Sequence, residues 1–168
     1  MEAVSPAAIA FADFDAEVSL EYDNAASIAL NSDYWRVTQA FRYYFDDPSE
    51  NTYVEIPVGY LTDGASVPRF FWDLLPPLGS YGQAAVLHDF LCENLYQIKN
   101  GEKTPITRTQ ADDALKDAMV ALDVPRWKRN VIFIAVAVYV KLADIKGVDI
   151  AAGKAAYMAA HPGLPSVP

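Results

Sequence analysis

An α+β fold is expected, with an N-terminal antiparallel β-sheet followed by a bundle of three to four helices, and three observations predict it. The composition changes near Pro68, aromatic and β-branched before it and helix-periodic after it. The first part carries strong turn chemistry between two apolar runs. Each segment of the second part is delimited by capping or breaking residues. This order, strands first and helices after, is the pattern of an α+β chain. The 168 residues make one domain of ordinary size. It divides into a β-rich part at about 1–60, a helical part at about 66–160 and a loose tail at 162–168.

Taken in order, "DYWRVTQAFRYYF" and "NTYVEIPVGYL" read as two strands of an antiparallel hairpin joined across "DDPSEN". "AEVSLEY" is a candidate third strand. Pro57 cannot donate to a ladder, so the second strand either lies at an edge or ends there. "YGQAAVLHDFLCENLYQI" repeats Ala84, Leu87, Leu91 and Leu95 at helical spacing. "TRTQADDALKDAMVALDV" opens with capping chemistry at Thr109 and carries Ala111, Leu115, Ala118 and Leu122 on one face. "PRWKRNVIFIAVAVYVKLADIKG" runs from Pro125 to Gly147, apolar nearly all round in its middle, as a central buried helix would be. "GVDIAAGKAAYMAAHPG" is a short last helix.

Composition narrows the function. With 13 basic against 22 acidic residues the net charge is −9, which disfavours nucleic acid as a primary partner. A lipid substrate stays open, because calcium can bridge an acidic site to a phosphate. Cys92 is the one cysteine, so no intrachain disulfide and no multi-cysteine zinc site can form. The first residues lack Lys and Arg, unlike a secretory signal. The longest apolar run, 131–140, is too short for a transmembrane segment. Synthesis in the cytoplasm of a host cell is the expectation.

His88 and Asp89 stand side by side within an apolar helix. Neighbours on a helix point about 100° apart, so the two flank a cleft from different sides rather than sharing one direction. His88 is either a buried histidine satisfied by a hydrogen bond or a neutral imidazole poised as a general base. Asp63, before Gly64, either closes a turn or binds a ligand. Ser66 reads as a helix N-cap before Pro68, and "GAS" is not a nucleophile elbow. Asp113 and Asp117 read as a solvated face. Asp112, beside the Ala111/Leu115 stripe, can reach inward, where a carboxylate needs a partner such as a histidine nitrogen. Zinc is a poor fit, since only His161 remains as a second imidazole.

The order of "IPVGYLTDGASVPR", "PPLGSYGQAAVLHDFL", "TRTQADDALKDAM" and "RWKRNVIFIAV" resembles an uncharacterised family of phage and prophage proteins, domain-of-unknown-function family 1353, from Ile56 to about Val138. The same region is similar to the core of small calcium-dependent phospholipases A2 of the bacterial and fungal kind, with their antiparallel helix pair. That resemblance implies that Asp63, the backbone carbonyl of Gly64 and Asp89 bind calcium. It implies that His88 is the general base drawing a proton from water, and that Asp112 orients it, the two forming the catalytic pair. The apolar loop "FFWDLLPPLG" then lines an acyl pocket or touches a membrane, or simply packs in the core. Two departures stand against the resemblance: there are no disulfides, and Cys92 occupies a position where those lipases carry a tyrosine. Tyr96, one turn further on, is a candidate substitute.

Two functions of different class follow. One is a calcium-dependent hydrolase of lipid or other envelope esters. The other is a non-catalytic virion component of the tail or baseplate, in which the same polar residues rigidify the fold and the chain oligomerises or binds other virion proteins. A peptidoglycan hydrolase ranks last, for want of a zinc set or paired catalytic carboxylates.

Overall fold

The computed structural model describes residues 13–46, 50–63, 81–146 and 150–161, with side chains described up to 136 and again from 152. Eight short strands and five helices are present among these residues. In chain order they are β1 (Asp13–Phe14), β2 (Ser19–Tyr22), α1 (Asn24–Leu30), β3 (Trp35–Gln39), β4 (Phe41–Tyr44), β5 (Thr52–Ile56), β6 (Leu61–Thr62), α2 (Gly82–Asn94), β7 (Tyr96–Lys99), β8 (Glu102–Pro105), α3 (Arg108–Ala121), α4 (Arg126–Lys146) and α5 (Ile150–Ala160). The α+β class is as expected, and β5 ends immediately before Pro57.

The strands form two antiparallel sheets, one ordered β1-β4-β5-β7-β8 and the other β2-β3-β6. "DYWRVTQAFRYYF" is therefore not one strand. It breaks at Ala40 into β3 and β4, which belong to different sheets, and only β4 pairs with β5, in the register Phe41↔Ile56 and Tyr43↔Val54. Alternation places Phe41, Tyr43, Val54 and Ile56 inward, where they meet α2 and α3. "AEVSLEY" supplies β2, as expected, but pairs with β3.

Two further corrections concern the boundary between halves. α1 lies inside the part read as β-rich, with Asp23 as N-cap accepting from the Ala26 N–H. Arg36 of β3 donates twice to Asp23, at 2.9 and 2.6 Å, and so ties α1 to the smaller sheet. In the part read as helical, β7 and β8 form a hairpin around Asn100-Gly101, both at positive φ. That dipeptide is a two-residue hairpin signal, which the sequence reading passed over. Helix α2 ends at Asn94, and Leu95 leaves it with φ 48°, so Leu95 is 39% exposed rather than on the buried stripe.

In α3 the buried residues include Ala111, Leu115 and Ala118, as the periodicity implied. Its cap is Thr107, not Thr109. Thr107 accepts from the Gln110 N–H while the Gln110 side chain accepts from the Thr107 N–H. The expected result of Thr107→Ala is a loss of about 1 kcal/mol, read as a lower denaturant midpoint with unchanged slope. The first part of α4 buries Ile132 and Ala135 but leaves Trp127 and Ile134 exposed, so there it is amphipathic rather than buried all round. The readings of Ser66, Pro68, the apolar loop, the 162–168 tail and positions 47–49 of "DDPSEN" lie outside the described residues. No described helix is long and apolar enough to cross a membrane.

Candidate functional site

Helix α2 has two polar sides, and each meets a different part of the fold. His88 and Cys92, one turn apart, face α3. Asp89 and Glu93, also one turn apart, face the end of the smaller sheet and α5. The rotation of about 100° between neighbours separates the two pairs.

On the first side, His88 Nε2 lies 2.7 Å from Asp112 Oδ1. The capping box at Thr107 sets where α3 begins, which puts Arg108 one turn before Asp112 on the same side. The Arg108 guanidinium approaches Asp112 Oδ1 at 3.6 Å. His88 is buried, with 5% of its surface exposed. Burial holds the imidazole below its ordinary pKa, against the opposing pull of Asp112 and with the help of Arg108. The ring is thus neutral at pH 7. A carboxylate can only accept, so the ring carries its proton at Nε2 and presents an unprotonated Nδ1. That is the tautomer a general base needs.

Cys92 Sγ is 3.3 Å from His88 Nε2. Burial, reinforced by the carboxylates of Asp89, Asp112 and Glu93 against Arg108, pushes the thiol up to about 12. It stays protonated and is a poor nucleophile. The donor atoms of His88, Cys92 and Asp112 lie within 4.8 Å of one another, as in a transition-metal site. The short His88–Asp112 hydrogen bond and the neighbouring guanidinium oppose a cation there. His161, the other histidine, is exposed, stacks on Tyr157 and contacts the Tyr157 carbonyl at 3.0 Å.

On the second side, Thr62 Oγ1 donates to Asp89 Oδ2 at 2.7 Å. Burial and then the Asp63 carboxylate push the Asp89 carboxyl well above its usual range, with Lys154 and the Thr62 hydrogen bond acting the other way. The charge of Asp63, next to Thr62, thus bears on Asp89, while Gly64 lies outside the described residues. Glu93 accepts from Tyr60 Oη at 3.0 Å and pairs with Lys154 Nζ at 2.5 Å. Lys154, from α5, also donates to Tyr60 Oη at 3.0 Å and sits 4.3 Å from that ring's centroid. Only 4% of Lys154 is exposed.

His88 and Asp112 are thus brought into contact, while Asp89, on the other side of the helix, is bonded to Thr62, the neighbour of Asp63. Tyr96 is not one helical turn beyond Cys92. It belongs to β7, where it meets the Phe90 ring and Lys103. Arg108, rather than a tyrosine, stands beside Asp112. Sequence reasoning missed Arg108, Tyr60, Glu93 and Lys154. Arg108 was legible as the residue four before Asp112 on a helix. Nothing in the sequence pointed from Lys154 to Glu93.

Fold and site define a mixed α+β protein with a buried histidine paired to a half-buried aspartate, beside a cluster of carboxylates. The chain belongs to the family described as "Protein of unknown function (DUF1353)", whose profile matches residues 35–136. That segment runs from β3 into α4 and holds every residue of the site except Lys154. A relative from Sinorhizobium fredii (strain NBRC 101917 / NGR234), described as uncharacterized protein y4jT, is 35% identical over 102 residues. The alignment covers 58% of this chain and 26% of that relative, so the chain spans about a quarter of the relative's length. No solved structure matches.

Proposed function

We propose that this is a phage- or prophage-encoded protein with a phospholipase-A2-like core that hydrolyses lipid or related esters in the presence of calcium. The observation that carries the reading is the 2.7 Å contact of His88 Nε2 with Asp112, in a buried, neutral ring whose Nδ1 is left to accept a proton. His88 takes the proton of a water that attacks the ester carbonyl. Asp112 holds the tautomer and stabilises the imidazolium that forms, and Arg108 fixes Asp112 in turn. The collapsing tetrahedral centre expels the alcohol, which takes the proton back from His88. No serine or cysteine nucleophile is needed, consistent with the raised Cys92 thiol.

The residues on the second side fit a hard cation, because the Asp63 and Asp89 carboxylates repel each other and a divalent ion would relieve that repulsion. Those two carboxylates would hold calcium, with the Gly64 carbonyl as a further oxygen. Bound there, calcium supplies Lewis-acid polarisation of the ester and a counter-charge for a lipid phosphate.

Asp89→Asn tests this side. The folded-state pKa of Asp89 is raised, so its contribution to stability is lost as pH rises through that folded value. Asn has no proton to lose and can still accept from Thr62. In chelator the variant is expected to melt about 2–4 °C above wild type at pH 8, the shift that about 1 kcal/mol produces in a domain of this size. The gap should narrow at pH 5. Calcium should then raise the melting point of wild type and leave that of the variant unchanged. A variant less stable at both pH values would overturn the assignment of a repulsive pair.

A second reading is a virion component of the tail or baseplate without catalysis, made in the host cytoplasm and carried in the particle. It is favoured by Lys154, whose ammonium already partly neutralises the acidic cluster, as in a network serving only to rigidify a fold. The deciding experiment is fatty-acid release from mixed phospholipid micelles, in calcium and in chelator. Release that needs calcium supports the hydrolase, and none under any condition supports the virion component.

A further inference from the structure

We propose that the cleft between α3 and α4 binds a single-chain anionic amphiphile, a long-chain carboxylate, with its head on Arg126 and Arg129 and its tail along Met119, Val120, Phe133 and Ile134. The proposal does not depend on the hydrolase reading, since the cleft is lined by none of the residues assigned to that chemistry. Its volume of about 430 Å³ lies within the range of small-molecule sites, about 300–1,000 Å³.

Three features of the cleft select this ligand. The first is Arg129 Nε, a buried donor with no hydrogen-bond partner among the described residues. A buried donor of a charged group left unsatisfied is costly, and a turn of the Arg129 side chain toward an anionic oxygen in the cleft would relieve it. The second is charge. Arg126, Arg129 and Lys116 meet at this cleft in a chain whose net charge is −9. Lys116 is engaged by Asp113 at 3.0 Å and lies over the Phe133 ring, which leaves the two guanidinium groups to receive the head. The third is the apolar wall. Val120 and Ile134 are 53% and 62% exposed, on facing helices, beside the fully buried Met119. An inorganic anion would leave that wall in water, and a neutral alkane would leave Arg129 unsatisfied. A carboxylate with an unbranched tail meets both needs.

The test is titration calorimetry of the full chain with decanoate below its micellar concentration, with acetate and 1-decanol as controls for head and tail alone. Saturable decanoate binding is expected, with acetate and 1-decanol at least about tenfold weaker. Arg129→Gln should weaken decanoate about tenfold, the worth of one hydrogen bond to a charged group, and Arg129→Lys less. Ile134→Glu, at an exposed position that folding tolerates, should weaken it similarly with an unchanged circular dichroism spectrum. The proposal is overturned by 1-decanol binding as well as decanoate, by Arg129→Gln and Ile134→Glu without effect, or by the absence of saturable binding. Sedimentation showing the cleft sealed by a second copy of the chain would also overturn it.

Discussion

His88→Asn is expected to lower the proposed calcium-dependent ester hydrolysis by about 10²- to 10⁴-fold, the usual contribution of a positioned general base. Asparagine can keep a polar contact with Asp112 but offers no basic nitrogen. The pH profile of wild type supplies a second readout. Burial depresses the His88 pKa, so the base stays unprotonated, and the rate holds, down to pH values below the ordinary histidine value of about 6.5. Arg108 contributes to that depression, and Arg108→Gln should therefore move the acid limb of the profile to higher pH.

Stability follows the same sign. An unfolded chain takes up a proton at His88 near pH 6.5 and the folded one only at lower pH, so wild type loses stability as pH falls through that window. His88→Asn lacks this loss, and the difference in melting temperature between the two proteins should change between pH 7.5 and 5. Asp112→Asn, which could donate toward the ring and favour the wrong tautomer, should reduce turnover while leaving the melting point near wild type. Equal hydrolysis by wild type and His88→Asn would remove His88 from the chemistry.

The second large effect is on stability. Lys154→Met is expected to destabilise the fold by about 3 kcal/mol, because breaking a buried ion pair leaves the partner charge uncompensated. Glu93 would lose its ammonium partner, and Tyr60 Oη a donor at 3.0 Å. Asp89 would lose the positive charge that now partly offsets Asp63 and Glu93. The melting point should fall by roughly 6–12 °C. Adding Glu93→Gln to Lys154→Met should recover more than half of that loss, since the orphaned charge is then gone. A Lys154→Met protein as stable as wild type would mean that the pair does not hold α5 in place. The same variant bears on calcium: removing the rival ammonium should tighten calcium binding by wild-type carboxylates, measured by calcium-induced stabilisation.

Local pattern was enough for the elements whose burial repeats along the chain. The stripe Ala111, Leu115, Ala118 predicts α3, and Pro125 marks the start of α4, because both signals depend on residues a few positions apart. The pairing of His88 with Asp112 was legible for a related reason. Each stands on a helix of recognisable phase, and an inward carboxylate must find a partner.

Other features turn on contacts between distant segments. "DYWRVTQAFRYYF" reads as one strand, yet Ala40 divides it between two sheets, since β3 finds β2 and β6 while β4 finds β1 and β5. The hairpin of β7 and β8 carried a local Asn100-Gly101 signal, but its place in the larger sheet comes from pairing with β5. Lys154 shows the limit most clearly. On a helix rich in alanine it has the look of a solvated lysine, and its burial depends on Tyr60, 94 positions earlier, and on Glu93. Sequence by itself determined the class, most of the helices and the facing of His88 and Asp112, because periodicity and capping are local. Only the tertiary structure decided which charges meet, because a buried charge takes its partner from whatever the fold brings within a few ångströms.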